Sequence, residues 1–132
     1  MIINQLSVFL ENRAGQLSEI TGLLAQNGID LKAANIAETS DYGILRIITE
    51  NPLEAKKILK DNGFVVSSCP VLLVTIEDKP GGLSRLLVKL NDNAINIEYM
   101  YSMLGSDKGK AVMVIKCEES KDPQEVEKLI AQ

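Results

Sequence analysis

The chain has 132 residues, of which 45% are hydrophobic and 24% are charged, with a net charge of −4 and a pI of about 4.9. This length allows one or two small domains, and the acidic balance argues against a nucleic-acid partner, since binding to a phosphate backbone depends on clustered Lys and Arg. Because the chain has no histidine, Ser-His-Asp and Cys-His centres and His-ligated metals are excluded.

No apolar run approaches the length of about 18 residues that would indicate a transmembrane helix, so no membrane partner is expected. The start, MIINQLSVFLENR, lacks the basic segment and the small-residue cleavage site of a signal peptide, so the expected location is cytoplasmic. Cys69 and Cys117 form no CxxC pair and lie in apolar, strand-like stretches. We expect buried or half-buried thiols, with no metal and no cofactor.

The first half of the chain predicts a strand, a helix and two further strands. The run QLSVFLE alternates polar and apolar residues, which is typical of a half-buried strand. After the break ENRAG, the apolar residues of LSEITGLL fall on one helical face, and Asn27-Gly28 is a helix stop. A second strand is expected over about 31–37, and a third, GILRIIT, begins at Gly43.

A second helix begins with three agreeing signals. Asn51 is the expected N-cap, Pro52 sits at the first helical position, and Glu54 can close a capping box. Gly63 ends this helix, and FVVSS reads as a fourth strand. The order of elements in the first half is therefore βαββαβ.

The sequence then repeats itself with a shift of 66 residues. The 26 residues LSVFLENRAGQLSEITGLLAQNGIDL, from Leu6, align without a gap with LLVTIEDKPGGLSRLLVKLNDNAINI, from Leu72, and nine positions are identical. Residues 1–66 carry 6 basic and 8 acidic groups, and residues 67–132 carry 8 and 10, so each half has a net charge of −2. We predict two like modules, the first copy over 1–68 and the second over 69–132.

The second copy is expected to lack a last strand of its own. Asp122-Pro123-Gln124-Glu125 repeats the helix-start signals shortly before the sequence ends at Gln132, which leaves no room for a further strand. The link between the copies, FVVSSCPVLLVTIED, is broken only by Pro70. It predicts one long strand that passes from one copy into the other, with Pro70 at an edge or a bulge. The predicted class is α+β, with two ferredoxin-like modules in tandem, antiparallel sheets and helices on one face.

Several functions of this element order require residues that the chain does not have. An RNA-binding module stacks bases on aromatic residues of its third strand, and GILRIIT has none. A heavy-metal carrier needs CxxC in the first loop, where ENRAG and EDKPGG have no cysteine. An acylphosphatase-like phosphate cradle needs a Gly-rich loop with arginine; Arg13 is present with a single Gly, but the second copy has Lys79.

The loop between the first strand and the first helix is the distinctive element of each copy. In the second copy, DKPGGL at 78–83 matches the Asp-x-Pro-Gly-x-Leu hallmark of the ACT domain, and NGIDL at 27–31 and NAINI at 93–97 match its Gly-Ile-Asn-Ile hallmark. The chain therefore resembles small proteins made of two ACT domains, over nearly its whole length. The first copy departs from the pattern, because Asn12 replaces Asp and Ala14 replaces Pro.

The resemblance implies a regulatory module that binds small molecules where two ACT domains meet. Gly15 and Gly81 let the backbone approach a ligand, and the loop feeds a helix N-terminus, which suits a carboxylate. The expected ligand is a free amino acid, with polar and acidic side chains taking its ammonium group and apolar residues facing its side chain. The candidate ligand-binding residues are Asn12, Arg13, Ala14, Gly15, Gln16, Leu17, Asp30, Leu31, Asp78, Lys79, Pro80, Gly81, Gly82, Leu83, Asn96, Ile97 and Tyr99.

Tyr99 and Tyr101 lie on the predicted second strand of the second copy, where the first copy has Ala33 and Asn35. This aromatic pair has two interpretations, as a wall of a ligand pocket or as packing in the core or an interface. The asymmetry predicts that the sites in the two copies, if both exist, are not equivalent.

We expect a non-catalytic amino-acid sensor that dimerises and acts either on another protein, such as a separate regulated enzyme, or through its own oligomerisation. Two alternatives stay open. The first is a structural or protein-interaction ACT dimer that has no ligand, motivated by the departures at Asn12 and Ala14. The second is an enzyme, which the lack of histidine and of any nucleophile–base pair makes the least favoured.

Overall fold

A computed structural model describes residues 1–11, 13–38 and 42–131 of the chain. Within them the fold is α+β, with the elements β1 (Ile2–Glu11), α1 (Gln16–Gln26), β2 (Leu31–Glu38), β3 (Tyr42–Thr49), α2 (Pro52–Asp61), β4 (Val66–Glu77), α3 (Gly82–Asp92), β5 (Ile97–Ser102), β6 (Lys110–Cys117) and α4 (Pro123–Ile130). The predicted order of elements is confirmed in both copies. β1 is longer than the alternation of QLSVFLE indicated, because it begins at Ile2.

The chain divides into two compact units. The first unit is Asn4–Cys69, and the second combines Pro70–Gln132 with Met1–Ile3. The division along the chain falls one residue after the predicted module boundary at 68. Met1–Ile3 stand at the start of the first copy in the sequence, yet they belong to the second unit.

The first unit is a four-stranded antiparallel sheet in the order β2-β3-β1-β4, to which β4 contributes only its first residues. Leu6, Val8 and Leu10 of β1 alternate toward α1 and α2, because successive residues of a strand point to opposite faces. They pack with Ile20 and Leu24 of α1 and with Leu59 of α2, so both helices cover one face. All of these side chains are buried.

The second unit repeats this arrangement in the order β5-β6-β4-β1, to which β1 contributes only its first residues. The Leu73 N–H donates to the Met1 carbonyl at 2.8 Å, and the Met1 ammonium donates to the Leu73 carbonyl at 3.2 Å. Ile2 packs against the core around Leu72 and Ile115. The first residues of the chain therefore form part of the sheet of the second unit.

The link between the copies is one strand, β4, which runs without interruption from Val66 to Glu77. This confirms the prediction of a long strand. Pro70 lies in it two residues before Leu72, where the pairing with β6 begins, and it is exposed. A proline is compatible with this position because its missing N–H removes no bond to β6 there.

Helices α2 and α4 both begin at a proline, which follows Asn51 in α2 and Asp122 in α4, but their N-caps differ. At α4, the Asp122 side chain accepts a hydrogen bond from the Gln124 N–H at 3.1 Å, as the sequence predicted. At α2, the helix begins at Pro52 as expected, but the prediction of a side-chain cap at Asn51 is wrong, since its side chain makes no such bond. A carboxylate at the N-terminus also interacts favourably with the helix dipole, so Asp122 has a second advantage.

Asp122→Ala should lower the free energy of unfolding by about 1 kcal/mol, because an N–H of the first helical turn loses its acceptor. Asn51→Ala is the matched control and should cost less, since no capping bond is lost there. Urea denaturation of both variants measures the difference. Equal losses would contradict the assignment of the cap to Asp122 alone.

No helix among the described residues is long and apolar enough to cross a membrane. The same residues include no cluster of three or more carboxylates and cysteines with the geometry to hold a metal ion. Cys69 is half-buried and Cys117 is buried, and burial raises the pKa of the Cys117 thiol. This thiol is therefore kept in its protonated, unreactive form.

Candidate functional site

The loop after the first strand has the same backbone turn in both units. Gly15 and Gly81 stand at the N-caps of α1 and α3 with φ angles of 88° and 86°. This left-handed conformation favours glycine because a Cβ there is strained. No side chain of the described residues caps either helix, and at α3 the Gly82 N–H donates to the Lys79 carbonyl at 3.0 Å.

A cavity of about 400 Å³ opens beside this turn in the first unit. Part of its lining is the predicted loop, namely Arg13, Ala14, Gly15, Gln16 and Leu17. The rest comes from the strands, namely Leu10, Glu11, Ile36, Glu38, Tyr42 and Gly43. We call this space the loop cavity. The N-terminus of α1 forms one side of it, and a Cβ at Gly15 would meet nothing within 4 Å.

The loop cavity contains charges of both signs. Arg13 lies 3.5 Å from Glu11 and 3.2 Å from Glu19, and all three side chains are largely exposed. Glu38 adds a second carboxylate to the lining. The cavity can therefore offer acceptors to a cation, while Arg13 and the helix N-terminus can offer donors to an anion.

Gln16 is the most buried polar residue of the loop in the lining of the loop cavity. Its side chain is 6% exposed, and its Oε1 accepts a hydrogen bond from the Glu11 N–H at 2.7 Å. The carboxamide thus joins the end of β1 to the first turn of α1. The corresponding residue of the second copy is Gly82, which has no side chain to make such a bond.

In the second unit, the loop between β4 and α3 packs closely against the backbone of β4. A Cβ at Gly82 would overlap the Glu77 carbonyl oxygen, so α3 starts directly against the backbone of β4. The Asp78 N–H donates to the Gly109 carbonyl at 3.0 Å. Lys79 lies 2.7 Å from Glu77, and its hydrogen bond and charge lower the pKa of Glu77. Lys79 and Gly82 border a different cavity, which runs along α3.

The other residues predicted for the second copy are spread over its unit. Pro80 is exposed, and Leu83 and Ile97 pack against the core. The Asn96 N–H donates to Glu118 at the far end of α3. Tyr99 pairs with Lys116 and stacks near Tyr101, with ring centres 6.5 Å apart. Because Met100 points into the core below α3, Tyr99 lies on the opposite face of the sheet.

The remaining residues predicted for the first copy separate in the same way. Asp30 is exposed and lies 3.0 Å from Lys32, at the end of β2 away from the loop cavity. Leu31 borders a neighbouring cavity that shares Leu17 and Ile36 with the loop cavity. Asn12 lies outside the described residues.

Sequence reasoning missed the wall of the loop cavity that comes from the hairpin of β2 and β3. Glu38 pairs with Gly43, and Tyr42 pairs with Glu11, so the end of this hairpin stands beside the loop. The Tyr42 ring stacks on Phe9 with ring centres 4.8 Å apart. The shared offset of Gly43 and Gly109 in the repeat was the one sequence signal at this place.

Comparison with known proteins identifies a family over nearly the whole chain. Residues 1–131 match the sequence profile of a family described as an ACT domain pair. An acetolactate synthase small subunit from Buchnera aphidicola subsp. Baizongia pistaciae is 34% identical over 90 residues, 66% of this chain and 56% of that protein. The matched segment thus spans little more than half of the relative's length.

Solved structures agree with this match. Protein BT0572 from Bacteroides thetaiotaomicron is 41% identical, with a TM-score of 0.87 over 97% of this chain and 88% of that one. The regulatory subunit of aspartate kinase from Thermus thermophilus, in a ligand-free form, has a TM-score of 0.72 over 99% of this chain and 93% of that one. At 13% identity, the second likeness shows the fold alone.

Proposed function

The chain belongs to the ACT domain-pair family, and we propose that it is a regulatory protein without catalytic activity that binds a free amino acid in the loop cavity. The observation that carries the proposal is the position of this cavity. It lies at the strand-to-helix turn that the family hallmark marks, and it has room and charge for a zwitterion. The proposed target is a separate enzyme, in line with a relative that is named as a synthase small subunit.

The groups around the loop cavity suit the three parts of an amino acid. Its carboxylate would accept hydrogen bonds from the N–H groups at the start of α1, where the helix dipole is positive. Its ammonium group would lie against the carboxylates of Glu11 and Glu38. Leu10, Leu17 and Ile36 would contact an apolar side chain. Such a pocket combines an apolar wall with a few placed polar groups, as small-molecule sites commonly do.

The proposal includes a homodimer in which a second chain covers the loop cavity. β2 is an edge strand of its unit, and an edge strand presents unpaired backbone groups. Leu17 is 38% exposed and Ile36 is 43% exposed at the side of the cavity that adjoins this edge. A ligand held between two chains would favour the dimer by its difference in affinity for the two states.

The ion pairs of Arg13 favour the alternative of an ACT dimer without a ligand. Because Glu11 and Glu19 both lie near its guanidinium, a carboxylate ligand would have to compete with them. This alternative predicts the same dimer, with no response to any amino acid.

We expect that at least one of the twenty amino acids raises the thermal unfolding midpoint in a concentration-dependent way. At ten times its Kd, a ligand that binds only the folded state adds about 1.4 kcal/mol of stability. Differential scanning fluorimetry against the twenty compounds, followed by titration calorimetry, measures this effect. D-enantiomers serve as controls, because the proposed contacts depend on the geometry at Cα. A flat response to all twenty compounds would leave the ligand-free dimer as the function.

A further inference from the structure

The two carboxylates in the lining of the loop cavity differ in whether another group already compensates their charge. Arg13 lies 3.5 Å from Glu11 and 3.2 Å from Glu19, so the charge of Glu11 has a partner. Glu38 is exposed, and within residues 1–11, 13–38 and 42–131 it makes no hydrogen bond and no ion pair. The lining therefore keeps one negative charge, on Glu38, that no described cation neutralises.

The pairing of the strands places Glu38 on the face of the sheet that carries α1. Glu38 pairs with Gly43, and Gly43 pairs with Leu10, so the three residues form one row across β2, β3 and β1. Residues that pair in this way have their side chains on the same face, and Leu10 packs in the core with α1. Gly43 has no side chain to fill the space between Leu10 and Glu38. The Glu38 carboxylate and the N-terminus of α1 therefore border the same cavity.

The second copy does not repeat this carboxylate. The shift of 66 residues puts Leu104 at the position of Glu38, and Leu104 is 72% exposed. The same shift puts Gly82 at the position of Gln16, where α3 starts directly against the Glu77 carbonyl. A carboxylate at this end of the hairpin is therefore a property of the first unit.

We propose that Glu38 selects ligands of the loop cavity by their ammonium group, so that the site takes α-amino acids and rejects the 2-hydroxy acids with the same side chains; this selection rests on the amino-acid function proposed above. A bound ammonium group would donate to the Glu38 carboxylate and compensate its charge. A 2-hydroxy acid would cover the same carboxylate without neutralising it, and covering an unpaired charge is costly. Glu11 is less suited to this selection because Arg13 already compensates its charge.

Titration calorimetry of the full chain with matched pairs of compounds tests the proposal. The probes are the amino acids with a primary ammonium group, each paired with the 2-hydroxy acid that has the same side chain. We expect every amino acid that binds to do so at least about tenfold more tightly than its 2-hydroxy acid. Glu38→Gln keeps the size of the side chain and removes its charge, so it should reduce this preference to about twofold or less. The thermal unfolding midpoint should not change, because the Glu38 side chain is exposed.

Glu54→Gln is the matched control, because it removes the same charge from an exposed position on α2, outside the lining of the loop cavity. It should keep the preference of the unaltered chain. If amino acids bind but Glu38→Gln keeps the preference, or if Glu11→Gln abolishes it instead, Glu38 is not the selecting residue and the proposal is overturned. Equal affinity of the unaltered chain for both members of a pair would overturn it too. If no amino acid binds at all, the proposed function itself fails, and the selection by Glu38 fails with it.

Discussion

Replacing Gly82 with alanine should lower the free energy of unfolding by about 3 kcal/mol. The added Cβ would overlap the Glu77 carbonyl oxygen, which is backbone and cannot rotate away as a side chain could. The start of α3 would have to move away from β4, and Leu86 and Leu90, which this helix places in the core, would move with it. Urea denaturation followed by far-ultraviolet circular dichroism measures the loss.

Gly22→Ala in α1 is the matched control for this substitution. A Cβ at Gly22 meets nothing within 4 Å, and glycine in a helix interior is less favourable than alanine. We expect this variant to be more stable by about 0.5–1 kcal/mol. The two glycine-to-alanine changes should therefore have opposite signs. Equal effects would mean that α3 does not start against the backbone of β4.

Gln16→Leu should cost about 1–3 kcal/mol of stability, because the Glu11 N–H loses a buried acceptor. The same change should weaken amino-acid binding at least about tenfold, since the carboxamide positions the first turn of α1 beside the loop cavity. Gln26→Leu is the matched control, at an exposed position near the end of the same helix, and should change stability by less than about 0.5 kcal/mol. Denaturation and calorimetry measure the two effects separately.

The two measurements on Gln16→Leu distinguish two roles for this residue. A loss of stability with unchanged amino-acid affinity would mean that Gln16 supports the loop and has no part in positioning a ligand. A loss of affinity with unchanged stability would mean that the Glu11 N–H finds another partner in the variant. Either result would contradict one of the two roles inferred from the 2.7 Å hydrogen bond.

The order of elements could be predicted because its signals are local. The alternation in QLSVFLE, the apolar face of α1 and the Pro52 and Pro123 helix starts depend on residues close together in sequence. The place of Met1–Ile3 in the second unit could not be predicted in this way. Ile2 packs against residues about seventy positions later in the sequence. The sequence MII alone gives no signal for this contact.

Only part of the candidate site can be predicted from the sequence, because only part of it is formed by residues that are close together along the chain. The loop at 13–17 carries its turn signal in Gly15, and the structure has a cavity beside this loop. Glu38 and Tyr42 reach the cavity only through the register of β3 with β1, which depends on contacts distant in sequence. The family hallmark groups Asp30 with the loop, yet the length of β2 separates Asp30 from the cavity.

The closure of the second unit by Met1–Ile3 has a consequence for the time course of folding. The first unit is built from the continuous stretch Asn4–Cys69, so its contacts form within residues that emerge together during synthesis. The second unit joins Met1 to Leu73, 72 positions apart, and its β6 is made later still. Closing so long a loop slows folding. We therefore expect refolding in two phases, in which the second unit acquires protection from hydrogen exchange after the first unit.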